Sequence, residues 1–199
     1  MRPAPLRPCD NPFRVQRLRE LRYRVAGGSL EGLLDRLAEL GQRAALVGPE
    51  GSGKTTLLGQ LQPLLEARGF EVRRARVYNE PPFWSRAEAR ALVAGVGAGH
   101  FLLVDGADAL PSWRLARLRW NTRRAGGLLI TSHQAGPLPT LLECRTSEEL
   151  LRELATELLG AAPVSGLPPL DEVYRRHGGN LREALRELYD VCAGLGPGC

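Results

Sequence analysis

The residues Gly48-Pro49-Glu50-Gly51-Ser52-Gly53-Lys54-Thr55 set spaced glycines beside one lysine and a threonine hydroxyl. Glycine lets a backbone curl until successive N–H groups face a single anion. A lysine ammonium adds a compact positive charge, and a threonine hydroxyl is a hard oxygen ligand suited to Mg²⁺. The run fits G-x-x-x-x-G-K-[ST] at every fixed position, with Thr56 continuing it. An apolar stretch precedes it and an amphipathic stretch follows, the strand–loop–helix context of a phosphate-binding P-loop. The helix N-terminus beyond Gly53 turns its positive dipole end on the same anion. These residues imply a nucleoside triphosphate with Mg²⁺: Gly48 to Thr56 around the phosphates, Lys54 on the β- and γ-phosphates, Thr55 on the metal.

Composition sharpens this reading. The chain carries 27 Lys+Arg against 22 Asp+Glu, and Lys54 is its single lysine. A bias towards GC-rich codons would account for the arginines, so basicity alone says little about nucleic acid. The same bias makes the lysine informative, because it stands where a flexible ammonium is needed and a planar fork is not.

Further along, His100-Phe101-Leu102-Leu103-Val104-Asp105 reads as a buried strand ending in an acid, the Walker B pattern, with Asp105 as a second Mg²⁺ anchor. Gly127-Leu128-Leu129-Ile130-Thr131-Ser132-His133-Gln134 is another apolar strand that ends in polar residues. The run His177-Gly178-Gly179-Asn180-Leu181-Arg182 opens a helix capped by Asn180.

Together these motifs resemble the ASCE division of P-loop NTPases, which includes AAA+ and STAND ATPases, over about residues 41–146. In that branch another strand separates the two Walker strands, and ATP is usually hydrolysed. Asp105-Gly106-Ala107-Asp108-Ala109-Leu110 is similar to the Walker B form of STAND ATPases, with two departures. Gly106 replaces the AAA+ catalytic glutamate, and Ala109 replaces the STAND one. The resemblance leaves Asp108 as the carboxylate placed to polarise water, with capping of the helix near Trp113 as its alternative role. Glu80 is a distant reserve. His133 matches the sensor position at the strand end, with Thr131 and Ser132 as neighbours, or else simply faces solvent. Arg182 matches a sensor 2 arginine, or belongs to an ordinary capped helix. No ABC signature Leu-Ser-Gly-Gly-Gln and no Asn-Lys-x-Asp guanine motif occurs, so ATP is favoured over GTP.

The elements that must position these residues alternate. Apolar runs at Ala44–Val47, Val72–Val77, Phe101–Val104, Leu128–Ile130 and Leu141–Cys144 read as strands, with helices near 54–68, 84–96 and 113–124 between them. The expected fold is α/β: a P-loop NTPase with a five-stranded, mainly parallel sheet, helices on both faces and a small C-terminal helical module. We divide it into a basic N-terminal segment (1–28), a core (29–160) and a lid-like module (161–199). Ser29 and Ser147 are expected N-caps.

The stretch from Trp113 to Arg124 carries five arginines, three between Trp113 and Trp120 and two after Trp120. It supplies an arginine finger, phosphate contacts or a merely solvated face. Tyr78 to Trp84 follows the second strand, where it lines a ligand pocket or packs as a loop. Scattered cysteines, no apolar span and no signal-like leader point to a cytoplasmic protein without a membrane anchor. The leading expectation is an ATPase whose nucleotide state regulates a protein partner or a second copy. The alternatives are a DNA-associated ATPase of the initiator or transposition-helper type, a small-molecule or nucleotide kinase, and a switch that binds without hydrolysing.

Overall fold

The computed structural model describes residues 6–25, 27–78, 84–160 and 166–194. Two helices, α1 (Val15–Glu20) and α2 (Leu30–Glu39), precede β1 (Arg43–Val47). Then α3 (Lys54–Ala67), β2 (Glu71–Arg76), α4 (Arg86–Val93), β3 (His100–Asp105), α5 (Ser112–Asn121), β4 (Gly127–Ser132) and β5 (Thr140–Glu143) follow in turn. Every strand pair is parallel, in the order β2-β3-β4-β1-β5. The P-loop strand β1 and the acidic strand β3 are thus separated by β4, as the resemblance implies.

Parallel pairing forces each connection back across the sheet, and the side-chain alternation of the strands shows where the helices go. Ala44, Leu46, Phe101, Leu103 and Leu129 face one side, against Leu34 and Leu37 of α2 and Leu57, Leu58 and Leu61 of α3. Ala45, Val47, Leu102, Val104, Leu128 and Ile130 face the other, where Leu92 of α4 and Leu118 of α5 close over them. Each leucine buried this way contributes roughly 1.5–3 kcal/mol. Polar caps fix where the helices start. Ser29 Oγ accepts from Gly32 N–H at 3.0 Å, and Ser85 and Glu88 form a reciprocal capping box.

The described chain forms two compact units, one of residues 23–48 with 53–144, the other of residues up to Arg22, 49–52 and from Arg145 onward. In the second, α6 (Glu148–Leu159), α7 (Leu170–Arg176) and α8 (Leu181–Cys192) share a core built from Leu151, Ala155, Leu158, Val173, Leu185 and Leu188. Phe13 is 1% exposed within it, and Asn11 Nδ2 donates to the Tyr189 carbonyl at 2.9 Å. Two boundaries therefore differ from those expected. Helix α6 packs its apolar stripe with α7 and α8, although the core was drawn to residue 160. The segment 1–28 divides, with Tyr23 and Val25 packed beside the sheet unit's core. Glu187, nearly buried in α8, is met by Arg176 and, at 2.6 Å, by His177 Nε2. Residues 1–5, 161–165 and 195–199, Cys199 among them, lie outside the described residues.

Gly127 pairs with Phe101 across β3 and β4, and a Cβ on it would lie 2.0 Å from the Phe101 ring. Gly97, by contrast, has open space. We expect Gly127→Ala to lower stability by about 2 kcal/mol by overpacking, and Gly97→Ala to change it little, measured by urea denaturation.

Candidate functional site

The chemistry-bearing residues sit where parallel strands end, the usual ligand edge of an open α/β sheet. Beyond β1, Gly48 N–H donates to the Ser132 carbonyl at 3.2 Å, which stitches the loop to the end of β4. Gly51 and Gly53 adopt φ of 74° and 84°, left-handed values that glycine tolerates without strain. A Cβ at Gly53 would also crowd the Tyr23 ring at 3.1 Å. Lys54 is 9% exposed and its ammonium donates to the Gly48 carbonyl, so the loop closes on its own lysine.

Asp105 ends β3 and is 5% exposed. Thr55 Oγ1, in the first turn of α3, donates to its carboxylate at 3.0 and 3.2 Å. Thr131 Oγ1 donates to the same carboxylate at 2.8 Å and accepts the Gly106 N–H at 2.7 Å. One acid therefore collects hydroxyls from the P-loop helix and from β4. These oxygens are the hard donors that Mg²⁺ prefers.

Asp108 and His133 meet. The Asp108 carboxylate accepts the His133 backbone N–H at 3.2 Å and also pairs with its Nδ1. Asp108 does not cap α5, whose N-cap is Pro111 without a side-chain bond, so the capping alternative is set aside. The backbone at position 106 favours glycine. Gly106 has φ 77°, and a Cβ there would come within 3.0 Å of the Val77 carbonyl oxygen. In the other unit, Asn180 Oδ1 caps α8 by accepting from Arg182 and Glu183 N–H at 3.1 and 3.3 Å. The Arg182 guanidinium lies 4.0 Å from the Glu50 carboxylate, both being residues of that unit.

Tyr23 carried no sequence motif, yet its backbone N–H donates to Gln60 Oε1 at 3.0 Å and its ring lies against Gly53. Burial, then its bond with Cys144, pushes the Tyr23 phenol well above its ordinary range. Burial also raises the Cys144 thiol, against the opposing pull of Tyr23 and the Lys54 charge. Tyr78 and Trp84 line a cleft of about 440 Å³ with Arg73, Arg74 and Arg76. Glu80 and the remainder of 79–83 lie outside the described residues.

No family model matches the sequence, and no curated protein matches it. Among solved structures, the crystal structure of a DNA replication initiation factor superposes with a TM-score of 0.51 at 15% identity, over 85% of this chain. The chain has a P-loop NTPase fold. It spans 62% of the length of that initiation-factor chain, and at this identity the likeness speaks for the fold alone. Among the described residues no helix is long and apolar enough to cross a membrane.

Two substitutions test the local architecture. Thr131→Val removes one donor from Asp105 and the acceptor of Gly106 N–H, and should cost about 1–3 kcal/mol in thermal or urea unfolding. Gly106→Ala should cost about 1–2 kcal/mol through its left-handed φ; an unchanged melting curve would contradict the geometry given above.

Proposed function

We propose that this protein binds ATP with Mg²⁺ at the P-loop, hydrolyses it, and uses nucleotide state to control a partner. The observation that carries the reading is the Asp105 carboxylate, held at once by Thr55 and Thr131 beside a glycine loop that closes on Lys54. Gly48 to Thr56 would surround the phosphates with backbone N–H groups, and Lys54 would exchange its Gly48 carbonyl for β- and γ-phosphate oxygens. Thr55 and Asp105 would hold the metal, which when bound neutralises charge on the phosphates.

The Asp108–His133 pair is the group we assign to the attacking water. Asp108 fixes the imidazole by taking the Nδ1 proton as a hydrogen bond, which leaves Nε2 as the proton acceptor. Water then forms the new bond to the γ-phosphorus as the bond to the ADP oxygen breaks, with ADP and phosphate as products. Arg182, near Glu50 at the loop tip, is our candidate for passing loss of the γ-phosphate to α8. A second reading, a DNA-associated ATPase of the initiator or transposition-helper type, rests on the Asn180-capped helix that carries Arg182, and salt-sensitive DNA binding would mark it.

The deciding experiment is steady-state ATP hydrolysis with and without duplex DNA, using Lys54→Ala as the blank and calorimetry for affinity. Lys54→Ala should fold normally and lose about 100-fold in ATP affinity, since it removes a charged donor. Unimpaired affinity in that folded variant would sink the proposal. Asp108→Asn and His133→Ala should each lower kcat by about 100-fold with KM little changed. DNA stimulation of turnover would favour the second reading.

A further inference from the structure

Helix α5 inverts the usual rule for a sheet-covering helix. Its inner side is ordinary, with Leu118 buried and Leu115 packed into the same cluster. Its outer side carries Trp113 and Trp120, 60% and 65% exposed. They are seven residues apart, about 10.5 Å along the helix axis and close to the same face. Arg117 lies between them in that stripe, and Arg124 follows just past the helix end, both exposed. An exposed indole is a large apolar surface left in water, and two in one stripe mark a contact surface.

The charge says what kind of contact. From Ala109 to Leu142 the sequence has no Asp or Glu, while Arg114, Arg117, Arg119, Arg123 and Arg124 fall within it. Guanidinium groups lie over the indoles, Arg114 at 5.1 Å from the Trp113 centroid and Arg123 at 4.2 Å from that of Trp120. Each such stack steadies the ring and keeps a cation on one of its faces. Past the helix end, Arg123 and Arg124 line an open cleft of about 420 Å³ with Asn121, Val93, Gly95 and Val96.

We propose that this face of α5 binds single-stranded nucleic acid, stacking unpaired bases on Trp113 and Trp120 and holding phosphates with Arg117, Arg123 and Arg124. Flat aromatic platforms interleaved with fixed positive charge suit a strand whose bases are free to stack, whatever their sequence. A duplex hides its base faces and meets only the arginines. A like face from a second copy would set Arg117, Arg123 and Arg124 against the same arginines. The assignment goes beyond the nucleotide site and does not depend on hydrolysis.

The test is fluorescence anisotropy of the full chain with labelled oligothymidylate, oligouridylate and a duplex of equal length, over a salt series without ATP. We expect both single strands or one of them to bind more tightly than the duplex, and the preferred strand identifies DNA or RNA as the source. Log affinity should fall with log salt, with a slope of about 0.7 per phosphate neutralised. Trp113→Ala and Trp120→Ala should each weaken binding about tenfold, Trp120→Phe should retain most of it, and Arg117→Ala with Arg124→Ala should flatten the salt slope. Circular dichroism checks that each variant is folded. Tighter binding of the duplex, or single-strand affinity indifferent to both tryptophans, would overturn the proposal. So would absence of oligonucleotide binding together with self-association that Trp120→Ala abolishes in sedimentation.

Discussion

A carboxylate at the end of a buried strand is expensive to keep out of water unless donors meet it. Asp105 is in that position, and much of the sheet edge is arranged around satisfying it. Two hydroxyls do so, Thr55 from the start of α3 and Thr131 from the end of β4. Because they belong to different elements, the hydrogen bonds also set where β1, β3 and β4 finish relative to one another. Thr131 passes the constraint on, since it receives the Gly106 N–H and so helps hold the left-handed turn after Asp105. That turn leads to Asp108, which takes hold of His133 two residues past Thr131. A chain of polar contacts therefore runs from the phosphate loop to the imidazole without leaving the strand ends.

The sequence made the central strands and most helices legible because burial on both faces demands unbroken apolar runs. β3 and β4 have them, and their bounds fall within a residue or two of the apolar runs. The edge strand β2, EVRRAR, is half exposed, so its apolar content marks it less sharply. Ser29, Ser147 and Asn180 could be read as caps because capping is local chemistry. Contacts between distant residues could not be read in this way. Nothing in the order of residues says that Asp108 will turn towards His133 and away from α5. The amphipathic stripe of α6 announces a buried face but not what buries it, which is why its grouping with α7 and α8 had to be seen. Tyr23 and Phe13 belong to a basic, proline-rich stretch whose composition hides two packed aromatics.

Arginine plays several parts here, and environment separates them. Arg43 reaches the Thr122 carbonyl at 2.9 Å and ties β1 to the end of α5. Burial, and then the neighbouring Arg119, lowers its pKa below the ordinary arginine value. Arg73 spends its guanidinium on the carbonyls that end α4. Those arginines are structural. On the outer side of α5 and just past its end, Arg117, Arg123 and Arg124 are exposed and Arg123 lies over the Trp120 ring, so there the same side chain is turned to solvent.

The lone lysine has a consequence outside recognition. Across these 199 residues every side-chain ammonium is the same one, and it is nearly buried in the phosphate loop. Isotopic labelling at lysine would place a single side-chain resonance in the whole spectrum, at the atom nearest the proposed chemistry. Amine-directed reagents would find little else on the side chains to modify. The molecule carries its own site-specific reporter, without an introduced probe.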